Sequence, residues 1–200
     1  MLAAMTLHDR VRVHEVTLLS DNWYTLRTTA FDWRRNDGQW QRMHRETYDR
    51  GNGATLLPYH LGQRTVLLTR QFRYPAFVNG HDDLLIEAAA GLLDNAAPEA
   101  RIRAEVEEEL GYRLGTVQKV FESFMSPGSV TEKLHFFIAE YEPGDRVRAG
   151  GGVVDEGEDI EVIEMPLTEA LAAIASGRIQ DGKTIMLLQH VALVLAQSTV

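Results

Sequence analysis

The chain has no cysteine among its 200 residues. Disulfides and thiolate metal sites are therefore excluded, and a cytoplasmic location is expected. Long apolar runs are missing too. Nothing approaches the roughly 18 consecutive apolar residues of a membrane helix. The opening Met1-Leu2-Ala3-Ala4-Met5 is too short and uncharged to read as a signal peptide. Basic charge is scarce: 20 Lys and Arg stand against 29 Asp and Glu, a net charge of −9. That balance argues against nucleic acid or a membrane surface as a partner. It leaves a phosphate ligand open, because a metal or a local arginine group can reverse the field. Repeats and low-complexity tracts are also absent. What is present is ordinary globular composition, 44% hydrophobic and 24% charged, enough for one domain or one domain with a small appendage.

Turn signals divide the first part. Ser20-Asp21-Asn22 and Asn36-Asp37-Gly38 interrupt alternating segments, so residues 1–48 are expected to hold a small antiparallel β unit, with the main domain over 49–200. Residues 54–59 and 65–73 read as paired strands across Gly62, and Pro58 predicts an edge or a bulge for the first of them. Leu84 to Glu87 reads as a short buried strand leading into a bend at Ala90-Gly91. Strands follow at 115–123, 134–140 and 160–165, and helices at 168–176, capped by Thr168, and at 181–197. Gly150-Gly151-Gly152 reads as a flexible hinge, since no helix N-terminus follows it. The order predicts an α+β fold, layered as an α/β/α sandwich.

The most informative stretch is Pro98 to Gly111. Pro98 suits a first helical turn, Glu99 the positive helix end, and Gly111 a left-handed stop. Ile102, Val106 and Leu110 form one apolar stripe. On the other face Glu105, Glu108 and Glu109 fall at i, i+3 and i+4, where like charges cost roughly 0.2–0.5 kcal/mol per pair. Either this is a solvated acidic face, or a hard divalent cation turns the repulsion into ligation.

Ala104-Glu105-Val106-Glu107-Glu108-Glu109-Leu110-Gly111-Tyr112 resembles the second half of the Nudix box, the loop–helix–loop of hydrolases that cleave nucleoside diphosphates linked to another group. Two features depart from that pattern. Ala104 stands where the family has Arg, leaving Arg101 or Arg103 to orient a ligating Glu. The first half is one residue short, with Ala96-Ala97 in place of a Glu. Ser126-Pro127-Gly128, with Pro127 fifteen residues after Tyr112, resembles the marker of the ADP-ribose-pyrophosphatase-like group. Asp49-Arg50-Gly51-Asn52-Gly53, Arg70-Gln71-Phe72-Arg73 and Asp181-Gly182-Lys183-Thr184 resemble its GDP-mannose-cleaving branch.

That resemblance implies a fold with a mixed central sheet and a Mg²⁺-dependent enzyme, with Mn²⁺ able to substitute. It implies hydrolysis of a nucleotide sugar, GDP-mannose first, to GMP and mannose 1-phosphate. The alternatives are an ADP-ribose pyrophosphatase giving AMP and ribose 5-phosphate, or a catalytically weak nucleotide-sugar binder. Metal would be held by the Ala90 carbonyl, Glu105, Glu108, Glu109 and Glu158. Glu158, with Glu156 as its competitor and Glu108 beside them, would serve the attacking water. Arg73 would hold phosphate, and Glu132 and Lys183 would contact substrate. Trp23, His44, Arg45 and Glu46 of the front section would reach the partner's site in a homodimer.

Overall fold

The computed structural model describes residues 6–153, 155 and 157–197. The chain forms two compact units. One comprises the residues up to Gly51 together with Ser126–Glu132, and the other comprises Asn52–Met125 and the residues from Lys133 onward.

The first unit is a three-stranded antiparallel sheet, β1 (Val11–Asp21), β2 (Thr25–Arg34) and β3 (Trp40–Asp49), in that order. Its turns fall at the two predicted breaks. Bulges in β1 lie between Val13 and Glu15 and between Leu18 and Ser20. Arg10 lies over the Trp33 ring and Arg12 over Trp40, at 4.2 and 3.8 Å from the ring centres. The Ser-Pro-Gly segment belongs here as well. Ser129 O accepts from the Tyr48 amide at 2.8 Å, and the Thr131 amide donates back to Tyr48 O at 3.1 Å.

The second unit is built on a seven-stranded mixed sheet. Its strands are β4 (Gly53–His60), β5 (Thr65–Gln71), β6 (Leu85–Glu87), β7 (Ala89–Leu92), β8 (Val117–Phe124), β9 (Lys133–Glu140) and β10 (Glu161–Pro166). The main order is β10-β5-β4-β9-β8, with β6 on β5 and β7 on β4; β4 and β9 are parallel. Successive residues alternate between two cores. Leu57, Val66, Leu68, Phe136 and Ile138 pack with α3 (Leu167–Ala175) and α4 (Gly182–Gln197). Leu56, Leu67, Phe137 and Ala139 pack with α2 (Pro98–Glu105) and its continuation to Leu110. Helix layers on both faces explain why these strands read as continuous apolar runs, and they make the second unit an α/β/α sandwich.

Three local readings change. Pro58 sits in a central strand and not at an edge. The antiparallel side of β4 is shared, with β7 pairing Gly53–Leu56 and β5 pairing Tyr59 and His60. Leu57 and Pro58 fall in the gap between these partners, where no donor is asked for on that side. The bend expected at Ala90-Gly91 is strand β7. The first residue of α3 is Leu167, with Pro166 and not Thr168 at its cap. A short helix, α1 (Tyr74–Val78), follows Arg73 and lay outside the sequence reading.

Candidate metal and pyrophosphate site

Between β6 and β7 the chain leaves β5 and joins β4, and the ladder breaks at Ala88. Three fully buried threonines satisfy the backbone there. Thr69 Oγ1 donates to Glu87 O at 3.1 Å and Thr55 Oγ1 to Ala89 O at 3.0 Å, while Thr184 Oγ1 accepts from the Ala88 amide at 2.6 Å. This junction carries Glu87 on one side and Ala90, opposite Thr55, on the other.

Helix α2 faces β7. Pro98 opens it, and Gly111, at φ +82°, closes it. Its last turn, Val106–Leu110, is a wide π turn in which the Gly111 amide reaches Val106 O at 3.1 Å. Such turns shift the side chains that follow relative to an α-helix. Ile102, Val106 and Leu110 are fully buried, as the stripe predicts, and Glu105 and Glu109 are buried too; only Glu108 of the three carboxylates is half-buried. Glu105 is engaged by Arg101, whose Nη2 lies 2.5 Å from Oε1. Glu109 Oε2 is buried without a hydrogen-bond partner. Burial, followed by the charges of Glu105 and Glu158, pushes the Glu109 carboxyl far above the ordinary carboxylate range. Among the described residues no group of three or more acids or histidines is gathered closely enough to be a ready metal cluster. The orphaned Glu109 oxygen, in electrostatic reach of Glu105, Glu158 and Glu87, nevertheless fits a hard cation, which satisfies oxygen ligands and offsets their repulsion.

Gly150-Gly151-Gly152, expected as a hinge, is a strap that caps this helix. The Gly151 amide donates to Glu109 O at 2.9 Å and the Gly152 amide to Glu108 O at 3.3 Å. The strap leads to the acidic loop. Glu158 turns back, accepting the Val153 amide at 2.9 Å, and lies against Gly152, where φ is +76° and a methyl group would overlap the Glu158 carboxylate. Glu156, its competitor in the sequence, lies outside the described residues.

Arg73 and Lys183 meet on one carboxylate that the sequence reading passed over. Glu87 Oε2 accepts Arg73 Nε at 2.7 Å, and Oε1 accepts Lys183 Nζ at 2.5 Å. Lys183 also pairs with Asp181 at 3.0 Å. Burial acts to raise the Glu87 carboxyl, but Lys183 and Arg73 outweigh it and hold the group below its usual value. Lys183, expected at substrate, is thus buried in an ion-pair network, while the Arg73 side chain is 42% exposed. A signal for Glu87 existed: it is the one charged residue in Leu84-Leu85-Ile86-Glu87-Ala88-Ala89-Ala90, and a charge inside an apolar run requires partners.

The remaining predicted residues lie in the first unit. Trp23 is 83% exposed, edge-on to Tyr24. His44, Arg45 and Glu46 are exposed on β3, with Arg45 donating to the His44 carbonyl at 2.8 Å. Glu132 is largely covered and pairs with Arg50 at 3.3 Å.

Residues 10–48 match the GDP-mannose pyrophosphatase NudK N-terminal domain. Proteins named GDP-mannose pyrophosphatase from Pectobacterium atrosepticum, Klebsiella pneumoniae and Citrobacter koseri are 55%, 54% and 56% identical to the chain. They align with 90%, 90% and 92% of it and with 93%, 90% and 96% of their own lengths. A solved structure described as an ADP compounds hydrolase covers 94% of the chain and 96% of itself with a TM-score of 0.72. At 15% identity that is a likeness of fold. The relatives match through both the front sheet and the acidic helix, and on that identity the chain belongs to the GDP-mannose pyrophosphatase family of Nudix hydrolases.

Proposed function

We propose that the protein hydrolyses the pyrophosphate bond of GDP-mannose, giving GMP and mannose 1-phosphate. The observation that carries this reading is the partnerless buried oxygen of Glu109, in electrostatic reach of Glu105 and Glu158, on a helix in a chain whose relatives bear that activity in their names. Nudix hydrolases generally need a divalent metal, and the ion proposed here is Mg²⁺, with Mn²⁺ as a substitute. Glu105, Glu109, Glu158 and the Ala90 carbonyl would hold it, with Glu108 at the margin. When bound, such an ion neutralises pyrophosphate charge and acidifies the attacking water.

The protein's own groups supply the rest. Arg73 keeps Nε on Glu87 and turns its remaining fork to phosphate oxygens, a geometry suited to them. Water adds to one phosphorus as the bridging P–O bond breaks, and Glu158 accepts the water proton, a contribution of typically 10²–10⁴-fold. Glu87, Lys183 and Asp181 hold Arg73 in place. We further propose a homodimer through the first unit, supported by the exposed Val13, Val16 and Leu18 of β1. Trp23, His44, Arg45 and Glu46 then serve the partner's substrate, and Glu132 contacts substrate or its bound water.

Incubation with Mg²⁺ and either GDP-mannose or ADP-ribose, followed by quantification of GMP and AMP, tests the activity. GMP is expected to form faster. AMP forming much faster than GMP would transfer the assignment to ADP-ribose. No product from either substrate above a Glu109→Gln control would reject hydrolysis.

A further inference from the structure

Two carboxylates of the acidic helix are buried, and they are treated differently. Glu109 keeps an oxygen without a partner, whereas Glu105 Oε1 is held by Arg101. Arg101 stands one turn before Glu105, so both side chains emerge on one helix face. Its guanidinium is divided between two elements. Nη2 meets Glu105, and Nε donates to the Leu92 carbonyl at 3.0 Å, at the end of β7. Glu105 also lies against Gly91, where a methyl group would overlap its carboxylate. The Glu105 carboxylate therefore lies against Gly91 and Arg101 Nη2, and the same arginine ties β7 to the helix through Leu92 O.

The other arginine of this helix is turned away. Arg103 donates to the Leu114 and Gly115 carbonyls at 2.9 and 2.8 Å and pairs with Glu99. Ala104, beside Glu105, is exposed and carries no charge.

We propose that Arg101 is a positioning residue for metal binding: it aims the Glu105 carboxylate and locks it to β7. This rests on the metal reading of Glu105 and Glu109 given above. Simple charge and positioning predict opposite signs. A cationic side chain near a divalent ion repels it, so removing Arg101 would tighten binding if Coulomb repulsion were its only effect. A positioning role makes removal weaken binding, by about 10–100-fold for the partner of a metal ligand.

The test is a titration of the metal-free protein with Mn²⁺, reading free Mn²⁺ by electron paramagnetic resonance, alongside the Mg²⁺ dependence of activity and thermal melting. Arg101→Ala is expected to weaken Mn²⁺ binding about 10–100-fold and to raise the Mg²⁺ needed for half-maximal rate in parallel. Arg101→Lys keeps one cationic contact without the fork and is expected to recover part of the loss. Arg103→Ala is expected to stay within about threefold of wild type, well inside that range. Should Arg101→Ala not fold, Arg101→Gln carries the same expectation in a side chain of similar reach. Unchanged or tighter Mn²⁺ binding in folded Arg101→Ala or Arg101→Gln overturns the role of Arg101 while leaving the metal site standing. Wild-type protein that retains no Mn²⁺ overturns both.

Discussion

Glu109 combines two demands that oppose each other. Its carboxylate is buried with an unpartnered oxygen, and an unpaired buried charge destabilises a fold unless something neutralises it. Glu109→Gln keeps the shape and removes the charge. It is expected to lower kcat/KM by about a hundredfold or more, the scale of a lost catalytic group. In chelator-treated protein the same variant is expected to melt higher than wild type, by a few degrees for a gain of about 1 kcal/mol. Parallel assays of turnover and melting with EDTA check both signs, and a lower melting point for the variant would contradict the burial argument. Glu122, far more exposed, offers a pH signature. Hydrogen bonds from Lys119 and Lys133 lower its carboxyl to about 2 from 4.5. A depressed carboxyl stabilises the fold above its unfolded value, and that stabilisation is lost as pH falls from about 4.5 through about 2. Glu122→Gln is therefore expected to melt below wild type at pH 6, with the gap closing by pH 2. Solvent screening keeps the gap small.

At the level of elements, the acidic helix and its strap form one construction. Gly152 has a left-handed backbone and no room beside Glu158. Gly152→Ala is expected to destabilise the protein by about 1–3 kcal/mol through strain, and to reduce turnover more than an alanine placed at Gly115, where the space is open. Denaturant titration and steady-state rates check this pair. The helix was readable because its signals are local: Pro98, the Ile102-Val106-Leu110 stripe and Gly111 lie within 14 residues. The π turn was not, since nothing in Val106–Leu110 departs from good helix composition. The strap was misread for a related reason. Its Gly151 and Gly152 amides bond the carbonyls of Glu109 and Glu108, more than 40 positions earlier. Pro58 was misread because a rule about edges assumes a strand with one partner per side, and β4 has two on one side. The Glu87–Lys183 pair spans 96 positions, beyond any local pattern, although a lone charge in an apolar strand already asked for a partner.

At the scale of the molecule, the first unit leaves Val13 60%, Val16 55% and Leu18 56% exposed along β1. A three-stranded sheet with so much apolar surface gains by covering it. The protein is expected to sediment as a dimer at micromolar concentration, and Val16→Lys with Leu18→Lys is expected to shift it toward monomer with loss of activity. A wild-type monomer under those conditions would remove the shared-site proposal for Trp23 and Arg45. The strap carries a different consequence, one of cooperativity. Because the Gly151 and Gly152 amides are the caps of the helix that bears Glu105 and Glu109, the helix end cannot fray while the strap holds, and the strap cannot lift without exposing two carbonyls. The two segments should open as a single event, a unit in the sense of native-state hydrogen exchange. Whatever the helix holds therefore also slows the opening of the loop that presents Glu158.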